Sequence, residues 1–287
     1  MYAYQKIIDN HLDPLLGAVP LSKLSPKQIQ EYYQTMTRTE GLSSNTIRRH
    51  HDLLSAALRM AVRQDMLRVN PMERVEPPRP KLHEASYYTQ ENLKVLYQLV
   101  EGHWLEMVVK VTAGLGLRRE EICGLKWESV DFQRRVVHIK EARTAYGATV
   151  VQKETKNRSS MRTLFMPDEL YELLRREKAR QEQERAIRGG DYAASGHVVL
   201  DREGLPYSPN ALSLAFTRFV RKNHLPRLTL HGLRHTFATI ASAQGVPLFD
   251  IGKAMGHSTP ATTGRIYTHL VDRTHEETLL LVSAALK

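Results

Sequence analysis

Three features of this sequence predict a mainly α-helical fold of two domains carrying one small antiparallel sheet. A proline cluster, Glu76-Pro-Pro-Arg-Pro-Lys-Leu-His83, cannot continue a helix and makes a stiff extended connector. Apolar residues before it recur at helical spacing. Beyond it, helical segments are interrupted by a single short β-branched region.

The elements follow in chain order. Ser25-Pro26 reads as an N-cap with proline in the first turn, opening a helix through about Arg38. Gly41-Leu-Ser-Ser44 precedes a long helix over about Asn45–Asp65, with Ile47, Leu54, Leu58, Ala61 and Val62 at helical spacing. Arg48, Arg49, Arg59 and Arg63 fall on its other faces, and Asn70-Pro71 closes the run. After the connector, helices are expected at about Gln90–Val100, His103–Gly114 and Arg119–Leu125. The strand candidates are Val136–Ile139, Thr149–Gln152 and Arg162–Met166. Helices resume at about Pro167–Arg188, Pro209–Lys222, Gly232–Ala243, Pro247–Met255, Pro260–His269 and Arg273–Leu286. The expected domains are 1–76 (helical), a linker at 77–88, and a larger mixed domain at 89–287 ending in a helix at 273–286.

Hydrophobic content of 41% and charged content of 25% suit a soluble globular protein, not a fibre or a disordered tail. A net charge of +10 favours a polyanionic partner. The single Cys123 excludes an internal disulfide and a four-cysteine zinc site, which points to the cytoplasm. The longest apolar run, Leu279–Leu286, falls far short of the roughly twenty residues of a membrane span.

Four clusters carry candidate chemistry. In Gly114-Leu-Gly-Leu-Arg-Arg-Glu-Glu121, Arg118 opens a helix where backbone N–H groups favour anions, and Glu121 lies one turn on to brace it. No Gly-Lys-Ser/Thr follows, so this is not a nucleotide loop. In Lys153-Glu-Thr-Lys156, a lysine between strands can donate a proton, although nothing local selects Lys156 over Lys153. His231-Gly-Leu-Arg-His235 places His231 and Arg234 on one helix face. Its two histidines at i,i+4 invite a zinc reading, but Gly232 stands where the metalloprotease pattern needs glutamate. The fourth cluster, Gly256-His257 through Tyr267, joins a helix stop to a late tyrosine. Taken singly, each has a plainer role as an ion pair, a solvated turn or a packed side chain.

Together they fit one problem, the cutting of DNA while its bond energy is kept in a protein–phosphate ester. Guanidinium forks of Arg118 and Arg234 match the non-bridging oxygens, Lys156 suits the leaving hydroxyl, and His231 or His257 assists a phenol. Neither a metal nor another cofactor is called for.

In the order Arg118, Lys156, His231, Arg234, His257, Tyr267, with Glu121, Leu125-Lys-Trp127, Asp131 and Ser160-x-Arg162 around them, the sequence resembles the tyrosine recombinase (phage-type integrase) family over essentially its whole length. The resemblance implies a C-shaped clamp of a helical core-binding domain and a catalytic domain. Within it, Tyr267 would be the nucleophile of a 3′-phosphotyrosyl link, Glu121 the supporting acid and His235 mainly structural. It also raises Arg48, Arg49, Arg59, Arg63 and Arg119 to candidate DNA contacts.

The implied partners are double-stranded DNA at core or attachment sites of a phage or other mobile element, and further copies in a tetramer joined through the C-terminal helix. An accessory DNA-bending or directionality protein is a further expectation, and the implied setting is the cytoplasm at the bacterial nucleoid. Two departures are Glu120, where the family often has a small residue, and the lack of an arm-binding domain ahead of residue 1. The latter reads as a natural short form or a shortened one. The competing readings are a type IB topoisomerase and a DNA-binding architectural protein without catalysis.

Overall fold

The computed structural model describes residues 2–81, 86–147, 149–154, 160–193, 195–257 and 283. The chain divides into two compact units, Met1–Glu84 and Ala85–Lys287, a cut that falls inside the expected linker. Part of that linker is fastened to the first unit. Pro78 O accepts from Arg48 Nη1 (3.0 Å), and Lys81 exchanges two hydrogen bonds with the Asn45 amide (2.7 and 3.1 Å). Tyr88 belongs to the second unit's core, its N–H donating to Thr236 Oγ1 (2.9 Å) and its hydroxyl to Pro226 O (2.5 Å).

The first unit is helical, as expected: α1 (Tyr2–Ile7), α2 (Asp13–Leu16), α3 (Pro26–Arg38) and α4 (Ser44–Arg63). The start of α3 carries a full capping box. Ser25 Oγ accepts from Gln28 N–H, and the Gln28 side chain accepts from Ser25 N–H, satisfying two otherwise unpaired donors. Its buried residues Ile29, Tyr32, Tyr33 and Met36 are spaced for one helix face. They meet Ile47 and Leu58 of α4, along with Leu12, Met72 and Val75. Two polar pairs close this core: Tyr32 Oη with His50 Nδ1 (2.7 Å) and Tyr33 Oη with His51 Nδ1 (2.9 Å).

In the second unit, α5 (Gln90–Val100), α6 (Glu106–Leu115) and α7 (Arg119–Gly124) precede the strands, and α8 (Asp168–Arg188), α9 (Pro209–Lys222), α10 (Leu230–Ala243) and α11 (Leu248–Met255) follow them. Helix α6 is buried almost all round, through Met107, Val108, Val109, Val111, Thr112, Ala113 and Leu115. It packs against α8 and α10 and forms the centre of the core. The expected helix over 260–269, and that over 273–286 apart from residue 283, lie outside the described residues.

The β region differs from the single sheet expected. One antiparallel sheet has the order β1 (Val130–Asp131), β2 (Val136–Ile139), β5 (Arg162–Phe165), and a separate hairpin pairs β3 (Glu141–Tyr146) with β4 (Thr149–Glu154). Strand β3, Glu-Ala-Arg-Thr-Ala-Tyr, was not expected, because it buries no residue fully and lacks an apolar alternation. The ladder to β4 and its packing on α7 define it. Gly124 permits that packing, since a Cβ there would lie 2.9 Å from both Ala142 Cα and Arg143 N. Among the described residues, no helix is long and apolar enough to cross a membrane.

Candidate active site

The geometry of the site starts from the end of one short helix. The last carbonyls of an α-helix have no partner within the helix and carry its negative dipole end. At the close of α11, Gly256 takes a left-handed conformation (φ 69°), and the cap N–H groups of Gly256 and His257 bond back to Lys253 O and Gly252 O. The next three carbonyls each receive an arginine. Ala254 O accepts from Arg162 Nε (2.6 Å), Met255 O from Arg234 Nη2 (2.8 Å) and Gly256 O from Arg118 Nη2 (2.7 Å).

Each arginine is held from a second side as well. Arg234, only 1% exposed near the start of α10, also donates from Nη1 to Gly116 O (2.7 Å). Gly116 sits in the α6–α7 turn at φ 61°, where a Cβ would lie 2.7 Å from the Phe237 ring. That turn therefore needs glycine both for its backbone and for its space. Arg118 precedes α7, and Glu121 braces it twice, accepting from Arg118 N–H (2.8 Å) and from Nη1 (2.7 Å). This is the brace the spacing predicted.

Glu121 is buried, and the same carboxylate takes a two-pronged bond from Arg162, Nη1 to Oε1 (3.0 Å) and Nη2 to Oε2 (2.8 Å). Burial alone would push the Glu121 carboxyl up. The hydrogen bond and charge of Arg162, followed by those of Arg118, outweigh it and hold the pKa at about 2. Two guanidiniums, those of Arg162 and Arg118, thus share one carboxylate, while Arg234 is seated on the neighbouring carbonyl of Met255.

Three histidines surround it. His235 is buried in α10 with its ring edge-on to that of His231, centroids 4.7 Å apart. His257, half-buried, follows the carbonyl clamp directly. Burial first, then neighbouring positive charge, lowers His235 and His257 to about 4. His231 is lowered too, first by loss of hydration and next by Arg234, although its surface remains largely exposed. In all three the shift favours the neutral imidazole over the imidazolium.

Arg118, Glu121, His231, Arg234, His235 and His257 therefore belong to one neighbourhood. Lys156 and Tyr267 lie outside the described residues. Sequence reasoning noted Arg162 within a motif but gave it no role, and its partners stand far from it along the chain. Arg119, a candidate DNA contact, is engaged by Glu120 (2.6 and 3.0 Å) and Ser213 Oγ (3.2 Å). Arg48 is half-buried on Pro78 O, whereas Arg49, Arg59 and Arg63 are exposed on α4.

Comparison with known proteins fits this architecture. Residues 86–274 match the model described as "Phage integrase family", and residues 1–37 match "Phage integrase, N-terminal SAM-like domain". The chain belongs to the phage integrase family. It is a tyrosine site-specific recombinase. A XerC-like tyrosine recombinase of Caldanaerobacter subterraneus subsp. tengcongensis is 27% identical, the match covering 90% of this chain and 70% of that protein. The ICEBs1 integrase of Bacillus subtilis (strain 168) is 23% identical, over 96% of this chain and 75% of that one. Among solved structures, the Tn1549 transposon integrase in complex with transposon right end DNA superposes with a TM-score of 0.78 at 23% identity, covering 97% of this chain and 98% of that chain. A lambda integrase dimer bound to a core site gives 0.66 at 18% identity, over 92% and 86% of the respective chains. The likeness to these two structures extends to the fold.

Proposed function

We propose that Arg118, Arg234, His231 and His257, together with Lys156, bind and activate one scissile DNA phosphate, and that Tyr267 attacks it. The observation that carries this reading is the docking of Arg118 and Arg234 on the adjacent carbonyls of Gly256 and Met255, with His257 next in the chain. A guanidinium has five N–H donors, so the contacts that seat Arg118 leave others for phosphate oxygens.

In the proposed reaction the Tyr267 phenolic oxygen forms a bond to phosphorus and the 5′ oxygen of the next deoxyribose leaves. The DNA then holds a 3′-phosphotyrosyl link and a free 5′ hydroxyl. The phenolic proton passes to a neutral imidazole, His231 or His257, and Lys156 protonates the departing oxygen. Charge building on the non-bridging oxygens falls to the two arginines, whose positions are already fixed. Reversal with a new 5′ hydroxyl joins strands without a cofactor.

The first unit is proposed as the core-binding domain, with Arg49, Arg59 and Arg63 meeting DNA phosphates. Domain limits of 1–76 and 89–287 about a linker at 77–88 are retained as part of this reading. The DNA is an attachment or core site of a phage or conjugative element, as the relatives named for ICEBs1 and Tn1549 suggest. A tetramer assembled through the helix at 273–286, at the bacterial nucleoid and with an accessory DNA-bending or directionality protein, completes the proposal. A lambda integrase relative has been solved as a tetramer bound to a Holliday junction.

Nicked suicide DNA tests the chemistry. Wild-type protein should become covalently attached, and Tyr267→Phe should abolish capture while binding the same DNA within about twofold. An adduct persisting in Tyr267→Phe would assign the attack to another residue.

A further inference from the structure

We propose that Arg162 is a positioning residue for strand cleavage: its single guanidinium locks the brace of Arg118 and the carbonyl end of α11 into one unit. This rests on the reading of Arg118 and Arg234 as phosphate ligands. Four acceptors from three parts of the chain share this side chain. They are both oxygens of Glu121 in α7 (3.0 and 2.8 Å), Ala254 O in α11 (2.6 Å) and Ser160 O just before β5 (3.1 Å). The side chain is 7% exposed and Glu121 2%, so no water layer softens the pair.

The consequence follows from connectivity. Arg118 is seated by Glu121 and by Gly256 O, and Arg162 grips both supports, the first directly and the second through Ala254, two residues away. Arg234 depends on Met255 O, the carbonyl in between. Without Arg162, the carboxylate and the helix end lose their common tie, and both phosphate-facing arginines lose their register.

Arginine is required by geometry as well as by charge. Its planar fork serves two carboxylate oxygens while Nε points elsewhere, whereas an ammonium on a flexible stem cannot reach all four acceptors. The fork also keeps Glu121 ionised despite its burial.

The test uses the full chain, attachment-site DNA and single-turnover capture on a nicked substrate. Arg162→Gln should cut the capture rate on the order of 10²-fold, comparable to loss of a transition-state donor, with DNA affinity held within about twofold. Arg162→Lys, which keeps the charge, should still lose about tenfold, and it carries the test if Arg162→Gln fails to fold. The pH profile separates positioning from mere packing. With glutamine at position 162 the Glu121 carboxylate loses both the hydrogen bond and the charge that favour its ionised form, so the loss in that variant should be greater at pH 5.5 than at pH 8. A folded Arg162→Lys protein with wild-type capture rates, or an Arg162→Gln loss of equal factor at every pH, would overturn the proposal. Failure of the wild-type protein to form any adduct would instead overturn the functional reading on which it stands.

Discussion

On α4, the guanidiniums of Arg49, Arg59 and Arg63 stand exposed. In the second unit, those of Arg118, Arg162 and Arg234 end on three successive main-chain carbonyls, of the last two residues of α11 and its cap Gly256. One residue type thus has two physical roles. An exposed arginine contributes to a diffuse field that salt screens within about 10 Å, and it pays side-chain entropy whenever it is ordered. An arginine fastened at both ends has lost that entropy on folding, and its remaining donors keep a fixed direction. The first kind suits affinity for any phosphate backbone. The second suits recognition of one phosphorus at the moment of reaction.

The largest effect should come from breaking the fastened class. Arg118→Lys keeps the charge but loses the fork, and we expect capture of suicide DNA to fall about 10²- to 10³-fold. Affinity measured by fluorescence anisotropy should change little, and a matching fall in affinity would place Arg118 among the general contacts. A smaller and opposite effect is expected on α4. Arg49→Ala, Arg59→Ala and Arg63→Ala together should weaken DNA binding about tenfold near physiological salt. The slope of log K against log salt should flatten by about one for each arginine that meets a phosphate. Capture at saturating protein should be unchanged, and an unchanged salt slope would remove these three from the interface.

The smallest effect is on stability against pH. His50 in the first unit and His235 and His257 in the second have folded pKa values of about 4, below the ordinary 6.5 of histidine. As pH falls below about 6.5 the unfolded chain takes up protons first, so stability declines progressively until about pH 4. Glu121 extends the decline, because its contribution is present above pH 4.5 and disappears as pH falls towards 2. Melting temperature by circular dichroism should therefore drop between pH 7 and 4.5 in the absence of DNA. A flat curve over that interval would mean that these histidines are already hydrated in the folded state.

Much of this was legible in the sequence where the signal is local. The start of α3 follows from Ser25-Pro26, and the Glu121 brace follows from its place one turn beyond Arg118. Helices α5 and α9 span the residues expected of them, Gln90–Val100 and Pro209–Lys222. Strand β3 escaped, because a hairpin held by its ladder and by close approach to Gly124 writes no apolar alternation. Arg162 escaped for a related reason: its partners Glu121 and Ala254 come from other elements of the chain. The carbonyls that gather the arginines are main-chain atoms, and any residue at 254–256 would supply them.

A small greasy contact lies beneath those carbonyls. Ala238, Ile251 and Met255 form a satellite core of their own, lined by Phe237, Ala241 and Leu248, and it seats α11 against α10. The placement of three positive charges is therefore inherited from the fit of a few hydrocarbon side chains. Removing a methyl group from that contact would shift the three guanidiniums without replacing any of them.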